Sequence, residues 1–133
     1  MRSRSISVML VDDHAVVREG YRRLLEKHEG ITVVAEAADA AGAYQAYKNK
    51  LPDVVVMDFN MPTLNGLDAA KEILRELPAM RVIILTTYAD QGDVREGLSI
   101  GIRGFAPKTG KAEDVLRAIS QVLAGQTYIG PGF

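Results

Sequence analysis

Five side chains that can hold a metal ion or a phosphoryl group stand directly after predicted strands. A short apolar run ends in Asp58, and Asp12 and Asp13 follow the first apolar run of the chain. Thr86 closes another such run, and Lys108 comes just after the last one. Because the carboxyl ends of parallel strands meet at one edge of an α/β sheet, we expect these side chains to lie close together.

The chemistry that this set favours is phosphoryl transfer assisted by a divalent ion. Three carboxylates can share a pocket in the charged form only when a cation offsets them. Mg²⁺, with Mn²⁺ as the alternative, binds through one or two carboxylates plus phosphate oxygens. A lysine ammonium and a threonine hydroxyl suit the remaining phosphoryl oxygens. A carboxylate oxygen can accept the group as an acyl phosphate.

Each of these residues also has a plain structural interpretation. An aspartate after a strand commonly caps a turn or a helix, and a threonine is a common strand residue. A loop lysine is commonly solvated. His14 and His28 are expected to be surface helix residues rather than ligands or catalysts. Only the joint placement at strand ends favours a functional site.

Five apolar runs alternate with five segments of helical periodicity. The runs that predict strands cover residues 6–11, 31–35, 54–57, 81–86 and 103–106. Helices are predicted over residues 14 to about 28, 40–50, 65 or 67 to about 77, 90 to about 100, and 111 or 112 to 124. Asp39 suits the N-cap of the second helix. Residues 126–133 show no clear element. With no hairpin signal, the alternation predicts a doubly wound α/β fold with a five-stranded parallel sheet and helices on both faces.

Composition narrows the class of protein. A chain of 133 residues, 47% hydrophobic, predicts one globular domain. A net charge of −1 gives no indication that the chain binds nucleic acid or a membrane surface. No apolar run approaches the ~20 residues of a membrane span. The absence of cysteine excludes disulfides and thiol catalysis. We expect a cytoplasmic protein.

Several motifs, in order, resemble the receiver domain of bacterial two-component response regulators. They are Val11-Asp12-Asp13-His14, Met57-Asp58-Phe59-Asn60-Met61-Pro62 with Gly66, Leu85-Thr86, and Gly104-Phe105-Ala106-Pro107-Lys108. The resemblance covers nearly the whole chain. It implies a flavodoxin-like fold, similar to that of the chemotaxis regulator, with the strand order 2-1-3-4-5.

The resemblance also implies a role for each acidic residue. Asp58 would accept a phosphoryl group from the phosphohistidine of a sensor histidine kinase. Asp13 and Asp58 would bind Mg²⁺ directly, and Asp12 mostly through water. The backbone carbonyl of Asn60 would be the third protein ligand.

The remaining motif residues would bind and report the phosphoryl group. Thr86 and Lys108 would contact its oxygens, and Thr86 would move toward it while the aromatic ring of Phe105 turns inward. A plain core role for Phe105 is the alternative. Asn60 and Tyr88, two positions beyond Asp58 and Thr86, would modulate the lifetime of the acyl phosphate. Pro107 directly before Lys108 departs from the family pattern and leaves the local peptide geometry open.

The local sequence around these motifs resembles that of the NarL/FixJ-type (LuxR-like) subfamily. His14, Thr86-Thr87-Tyr88 and Pro107-Lys108-Thr109 carry this likeness, as do the residues after Gly125. We therefore expect a receiver over residues 1–125, and over residues 126–133 the start of a linker to a helix-turn-helix DNA-binding domain that the sequence does not include. Phosphorylation would then drive dimerisation or release of that domain. A stand-alone receiver that acts through protein contacts is the alternative.

Two other classes fit the sequence less well. A phosphohydrolase of the haloacid-dehalogenase type also uses an aspartate at a strand end, but it needs a second aspartate where Asn60 stands. A flavodoxin-like nucleotide binder needs a phosphate loop after the first strand, where Asp12 and Asp13 are acidic. We therefore predict a phosphoacceptor rather than an enzyme that turns over an external substrate.

Overall fold

The fold is built on one parallel sheet. The computed structural model describes residues 5–61, 65–87, 91–109, 111–131 and 133; Pro62 and Tyr88 lie outside these ranges. The strands are β1 (Ile6–Val11), β2 (Ile31–Ala37), β3 (Val54–Asp58), β4 (Val82–Thr86), β5 (Gly104–Pro107) and β6 (Tyr128–Ile129). They are paired in parallel in the order β2-β1-β3-β4-β5-β6.

Five helices cover the two faces of this sheet. They are α1 (Ala15–Glu26), α2 (Ala40–Lys50), α3 (Gly66–Glu76), α4 (Gln91–Ile100) and α5 (Ala112–Leu123). Successive residues of a strand point to opposite faces. Val8 and Leu10 accordingly pack with residues of α1 and α5, whereas Met9 and Val11 pack with residues of α2 and α3. Burial on both faces explains why the central strands β3 and β4 appear in the sequence as continuous apolar runs.

The sixth strand corrects the expected count of five and the expectation that residues 126–133 form no element. Tyr128 and Ile129 pair with Gly104 and Phe105, and Tyr128 is buried. The Tyr128 N–H donates to the Arg103 carbonyl at 2.9 Å. A strand of two residues is too short to leave a periodic pattern, so only its tertiary pairing reveals it. The expected order 2-1-3-4-5 is correct for the other five strands.

Most element boundaries lie within two residues of their predicted positions. The N-cap predicted at Asp39 is confirmed, since its side chain accepts a hydrogen bond from the Gly42 N–H at 2.7 Å. Helix α1 ends at Glu26 rather than near His28, because the chain must turn before β2. Gly30, at φ 88°, lies in this turn. None of the described helices is long and apolar enough to cross a membrane.

Candidate functional site

Asp58 lies at the carboxyl end of β3, at the centre of the sheet edge. Its side chain is 1% exposed. The backbone of Gly66 lies close behind it, since the Gly66 N–H donates to the Phe59 carbonyl at 2.6 Å. A Cβ at Gly66 would lie 2.6 Å from the Asp58 carbonyl oxygen, so this close approach requires glycine. Gly66 thus packs directly against the backbone of the strand end that carries the Asp58 carboxylate.

Lys108 reaches the same carboxylate from the end of β5. Its Nζ lies 2.9 Å from Asp58 Oδ1 and 3.3 Å from Asp12 Oδ2, and its side chain is 15% exposed. The Lys108 N–H donates to the Thr86 carbonyl at 2.9 Å. The peptide bond before Pro107 is trans. The sequence alone had not determined the geometry of this bond. Two neighbouring strands therefore position the ammonium group.

The acidic pair completes the site from the end of β1. Ligand atoms of Asp12, Asp13, His14 and Asp58 all lie within 4.8 Å of one another. Both oxygens of Asp12 are engaged, since Oδ1 accepts from the His14 N–H at 2.8 Å and Oδ2 faces Lys108. The sheet thus brings Asp12, Asp13, Asp58 and Lys108 together, as the sequence predicts.

Two residues near the acidic pair were not assigned to the site from the sequence. The side chain of Arg18 donates to the Asp12 backbone carbonyl and, from Nε, to Glu36 Oε1 at 2.8 Å. It thereby ties the end of β1 to α1 and β2. The ring of His14 lies beside both carboxylates of the pair, although His14 had been expected to be a plain surface residue. In the sequence, only their position close to Asp12 and Asp13 could have indicated that Arg18 or His14 belongs to the site.

Burial sets the electrostatics of the two central groups. Desolvation raises the pKa of the Asp58 carboxyl above its usual value, although Lys108 opposes this effect. Desolvation also acts to lower the pKa of Lys108, but the carboxylates of Asp58 and Asp12 outweigh it and raise that pKa. The negative charge of Asp58 is therefore only partly compensated by the described residues, and a further cation is favoured there.

Two observations show that the site fits a hard divalent ion. Carboxylate oxygens from two strand ends converge within the reach of one ion. Asp13 Oδ1 and both side-chain oxygens of Asp58 are buried without a well-formed hydrogen bond from the described residues. Carboxylate oxygens are ligands that Mg²⁺ and Mn²⁺ prefer.

The remaining predicted residues lie next to this cluster. Thr86 is buried at the end of β4, and strand alternation places its side chain on the same face as Phe105. Phe105 is fully buried against Gly97 of α4. Asn60 is exposed just beyond Asp58, and its backbone N–H acts to lower the pKa of Asp58. Tyr88 lies outside the described residues.

Comparison with known proteins agrees with this geometry. Residues 8–120 match the response regulator receiver domain family. The chain belongs to the response regulator receiver family. Receiver domains are not substrate-turnover enzymes, so the match does not favour the phosphohydrolase alternative.

Individual relatives support the NarL/FixJ-type subfamily. The response regulator UvrY of Escherichia coli strain K12 is 38% identical over 124 residues, which are 93% of this chain and 57% of UvrY. A two-component response regulator of the LuxR family from Aurantimonas sp. SI85-9A1 is 39% identical with a TM-score of 0.89, and the match covers 96% of this receiver and 91% of that chain. The non-phosphorylated receiver domain of the stress response regulator RcsB from Escherichia coli is 26% identical with a TM-score of 0.84, over 94% of this receiver and 98% of that chain. The receiver spans 53–59% of the length of curated relatives such as DegU and GacA.

Proposed function

We propose that Asp58 accepts a phosphoryl group from the phosphohistidine of a sensor histidine kinase. A side-chain oxygen of Asp58 forms a bond to phosphorus while the phosphorus–nitrogen bond breaks. The imidazole leaves with the electron pair and takes up a proton from solvent. The observation that carries this proposal is the buried, incompletely hydrogen-bonded carboxylate of Asp58 with Lys108 Nζ at 2.9 Å.

The neighbouring side chains divide the remaining tasks. Asp13 and Asp58 would hold Mg²⁺, or Mn²⁺, directly, and the backbone carbonyl of Asn60 would be a third ligand. Asp12 would act through water, since both of its oxygens already contact His14 or Lys108. When bound, the ion supplies charge neutralisation for the transferring group. Lys108 would hold one phosphoryl oxygen as a point charge.

The response to phosphorylation would run through β4, β5 and α4. Phosphorylation adds a charge of about −1.5 to −2 at this edge and favours one of two existing states. Thr86 would contact the phosphoryl group, and Phe105, on the same face, would couple that movement to Gly97 of α4. Asn60 and Tyr88 would control the access of water to the acyl phosphate.

We propose that the output is transcriptional. Two relatives, DegU and LnrK, are each named a transcriptional regulatory protein, and the match covers 53% and 57% of their lengths. The altered surface would act on a C-terminal DNA-binding domain of the longer protein, which the segment after residue 125 would join, and would favour a homodimer. This receiver would not contact DNA itself and would work in the cytoplasm. A stand-alone receiver that acts through protein contacts is the alternative output.

Intact mass measurement tests the phosphoacceptor directly. The protein is incubated with acetyl phosphate and Mg²⁺, beside the same mixture with EDTA. We expect one phosphate on the wild type, none with EDTA, and none on Asp58→Asn. The matched control is Asp68→Asn, which removes an exposed carboxylate from α3 and should still be phosphorylated. A phosphate on Asp58→Asn, or none on the wild type, would contradict the proposal.

A further inference from the structure

We propose that His14 supplies an imidazole nitrogen to the metal site, so that the site favours borderline ions such as Co²⁺ over Mg²⁺. This inference rests on the metal site of the proposed function and adds a ligand to it. The sequence motif of the acidic pair assigns no role to His14. Its position in the structure does.

The ring nitrogen of His14 lies where a ligand of the same ion would stand. Its Nδ1 is 3.3 Å from Asp12 Oδ1 and 3.2 Å from Asp13 Oδ1. In an octahedral shell with bonds of about 2.1–2.2 Å, neighbouring ligand atoms are about 3.0–3.1 Å apart. The distance from Nδ1 to Asp13 Oδ1 is thus close to the spacing of adjacent ligands on one ion, while Asp12, which would act through water, lies beside both.

The backbone holds the ring in this place. His14 has an extended conformation at the start of α1, with φ −97° and ψ 104°, and its N–H donates to Asp12 Oδ1. Its side chain makes no capping hydrogen bond to the helix, so the ring is not needed there. With the side chain 61% exposed, Nε2 can face solvent while Nδ1 faces the carboxylates.

A second observation marks this cluster as a ligand site rather than a surface group of acids. Asp58 is 1% exposed and Oδ1 lies 2.9 Å from Lys108 Nζ, but neither of its oxygens, which lie in the same cluster as His14, has a well-formed hydrogen bond from the described residues. A buried carboxylate without sufficient donors favours a bound cation. His14 therefore belongs to a cluster of ligand atoms in which the carboxylates already favour a bound cation.

The nitrogen changes which ion the site prefers. Carboxylate, carbonyl and water ligands suit Mg²⁺, whereas imidazole suits later first-row metals. Affinity for a mixed nitrogen–oxygen site rises along the series toward Co²⁺ and Ni²⁺. His14 should therefore increase the ratio of Co²⁺ to Mg²⁺ affinity. The competing interpretation is a ring that only hydrogen-bonds to Asp12 and Asp13 and moves away when an ion binds.

Titration calorimetry with Co²⁺ alone and with Mg²⁺ alone distinguishes these two arrangements. It is run near pH 8, where an ordinary histidine is neutral. The variants are His14→Ala and, as a matched control, His28→Ala, which removes the other exposed histidine of the chain. We expect the affinity ratio to fall about tenfold or more in His14→Ala, since even outer partners of a ligand carry about that much. The ratio in His28→Ala should equal that of the wild type.

A spectroscopic signature reports the bond itself. Co²⁺ should produce a hyperfine-shifted imidazole proton resonance in the wild type and in His28→Ala, and none in His14→Ala. Equal affinity ratios in all three proteins, or a shifted resonance that survives His14→Ala, would overturn the inference. If Mg²⁺ and beryllofluoride still bind in that case, only the role of His14 fails; if neither binds, the proposed phosphoacceptor function fails with it.

Discussion

Gly97 of α4 makes room for the ring of Phe105, and replacing it tests that packing. A Cβ at Gly97 would overlap Phe105 Cζ, and it would lie 3.0 Å from Cε2 and 3.2 Å from Leu67 Cδ2. Phe105 is fully buried, so its ring cannot yield without disturbing the core. Gly97→Ala therefore forces either the ring or the helix to move.

Two effects of opposite sign decide the magnitude. Overpacking a core by one methyl group costs about 1–3 kcal/mol of unfolding free energy. Replacing glycine by alanine inside a helix returns about 1 kcal/mol through helix propensity. We expect Gly97→Ala to be destabilised by up to about 2 kcal/mol, which corresponds to a fall in Tm of up to roughly 8 °C for a 133-residue domain.

Gly20→Ala isolates the propensity contribution. Gly20 lies in α1, and an added Cβ would have no atom within 4 Å. This variant should be more stable than the wild type by up to about 1 kcal/mol. The difference in stability between Gly20→Ala and Gly97→Ala then measures the overpacking alone, about 1–3 kcal/mol.

Urea unfolding of both alanine variants, of Phe105→Leu and of the double variant Gly97→Ala/Phe105→Leu completes the assay. Leucine has no atoms where Cζ of Phe105 stands, so it should recover part of the loss as a coupling free energy of about 0.5–3 kcal/mol. Equal stabilisation by the two alanine substitutions would refute the reasoning, because it would mean that the ring does not occupy the space beside Gly97.

Three further predictions concern the site and the sixth strand. Burial raises the pKa of Asp58 in the folded state, so the folded protein binds more protons than the unfolded chain. Without metal, the free energy of unfolding should therefore fall as pH rises from the ordinary aspartate pKa through the raised one. Urea midpoints measured in EDTA across that range should show this slope in the wild type and lose it in Asp58→Asn. Gly130→Ala would place a Cβ 2.9 Å from Pro107 Cδ, so thermal unfolding should show a loss of about 1–3 kcal/mol, and an unchanged Tm would contradict the pairing of β6. Thr86→Ala should still be phosphorylated by acetyl phosphate but should lose the conformational response. Equal beryllofluoride-induced NMR shifts of α4 residues in the wild type and in Thr86→Ala would contradict a role for Thr86 in that response.

Local sequence determined most of the sheet and the residues at its edge. The apolar runs Val54–Met57 of β3 and Val82–Leu85 of β4 have no polar interruption, and burial on both faces accounts for this pattern. The side chain of Asp39 caps its helix through a contact three residues away, which local sequence encodes. Asp58 and Lys108 end up together because parallel strands share one carboxyl edge, which follows from the alternation of strands and helices.

Contacts between distant segments decided the rest. Tyr128 and Ile129 become a strand only because β5 offers an open edge for pairing. Gly97 would be only a weak helix residue without the ring of Phe105 beside it. His14 is one residue from the acidic pair in sequence, but its approach to both carboxylates depends on the turn from β1 into α1. Periodicity and local propensity report on neighbours within a few positions, whereas pairing, packing and ligand geometry depend on backbone that folding brings in from elsewhere.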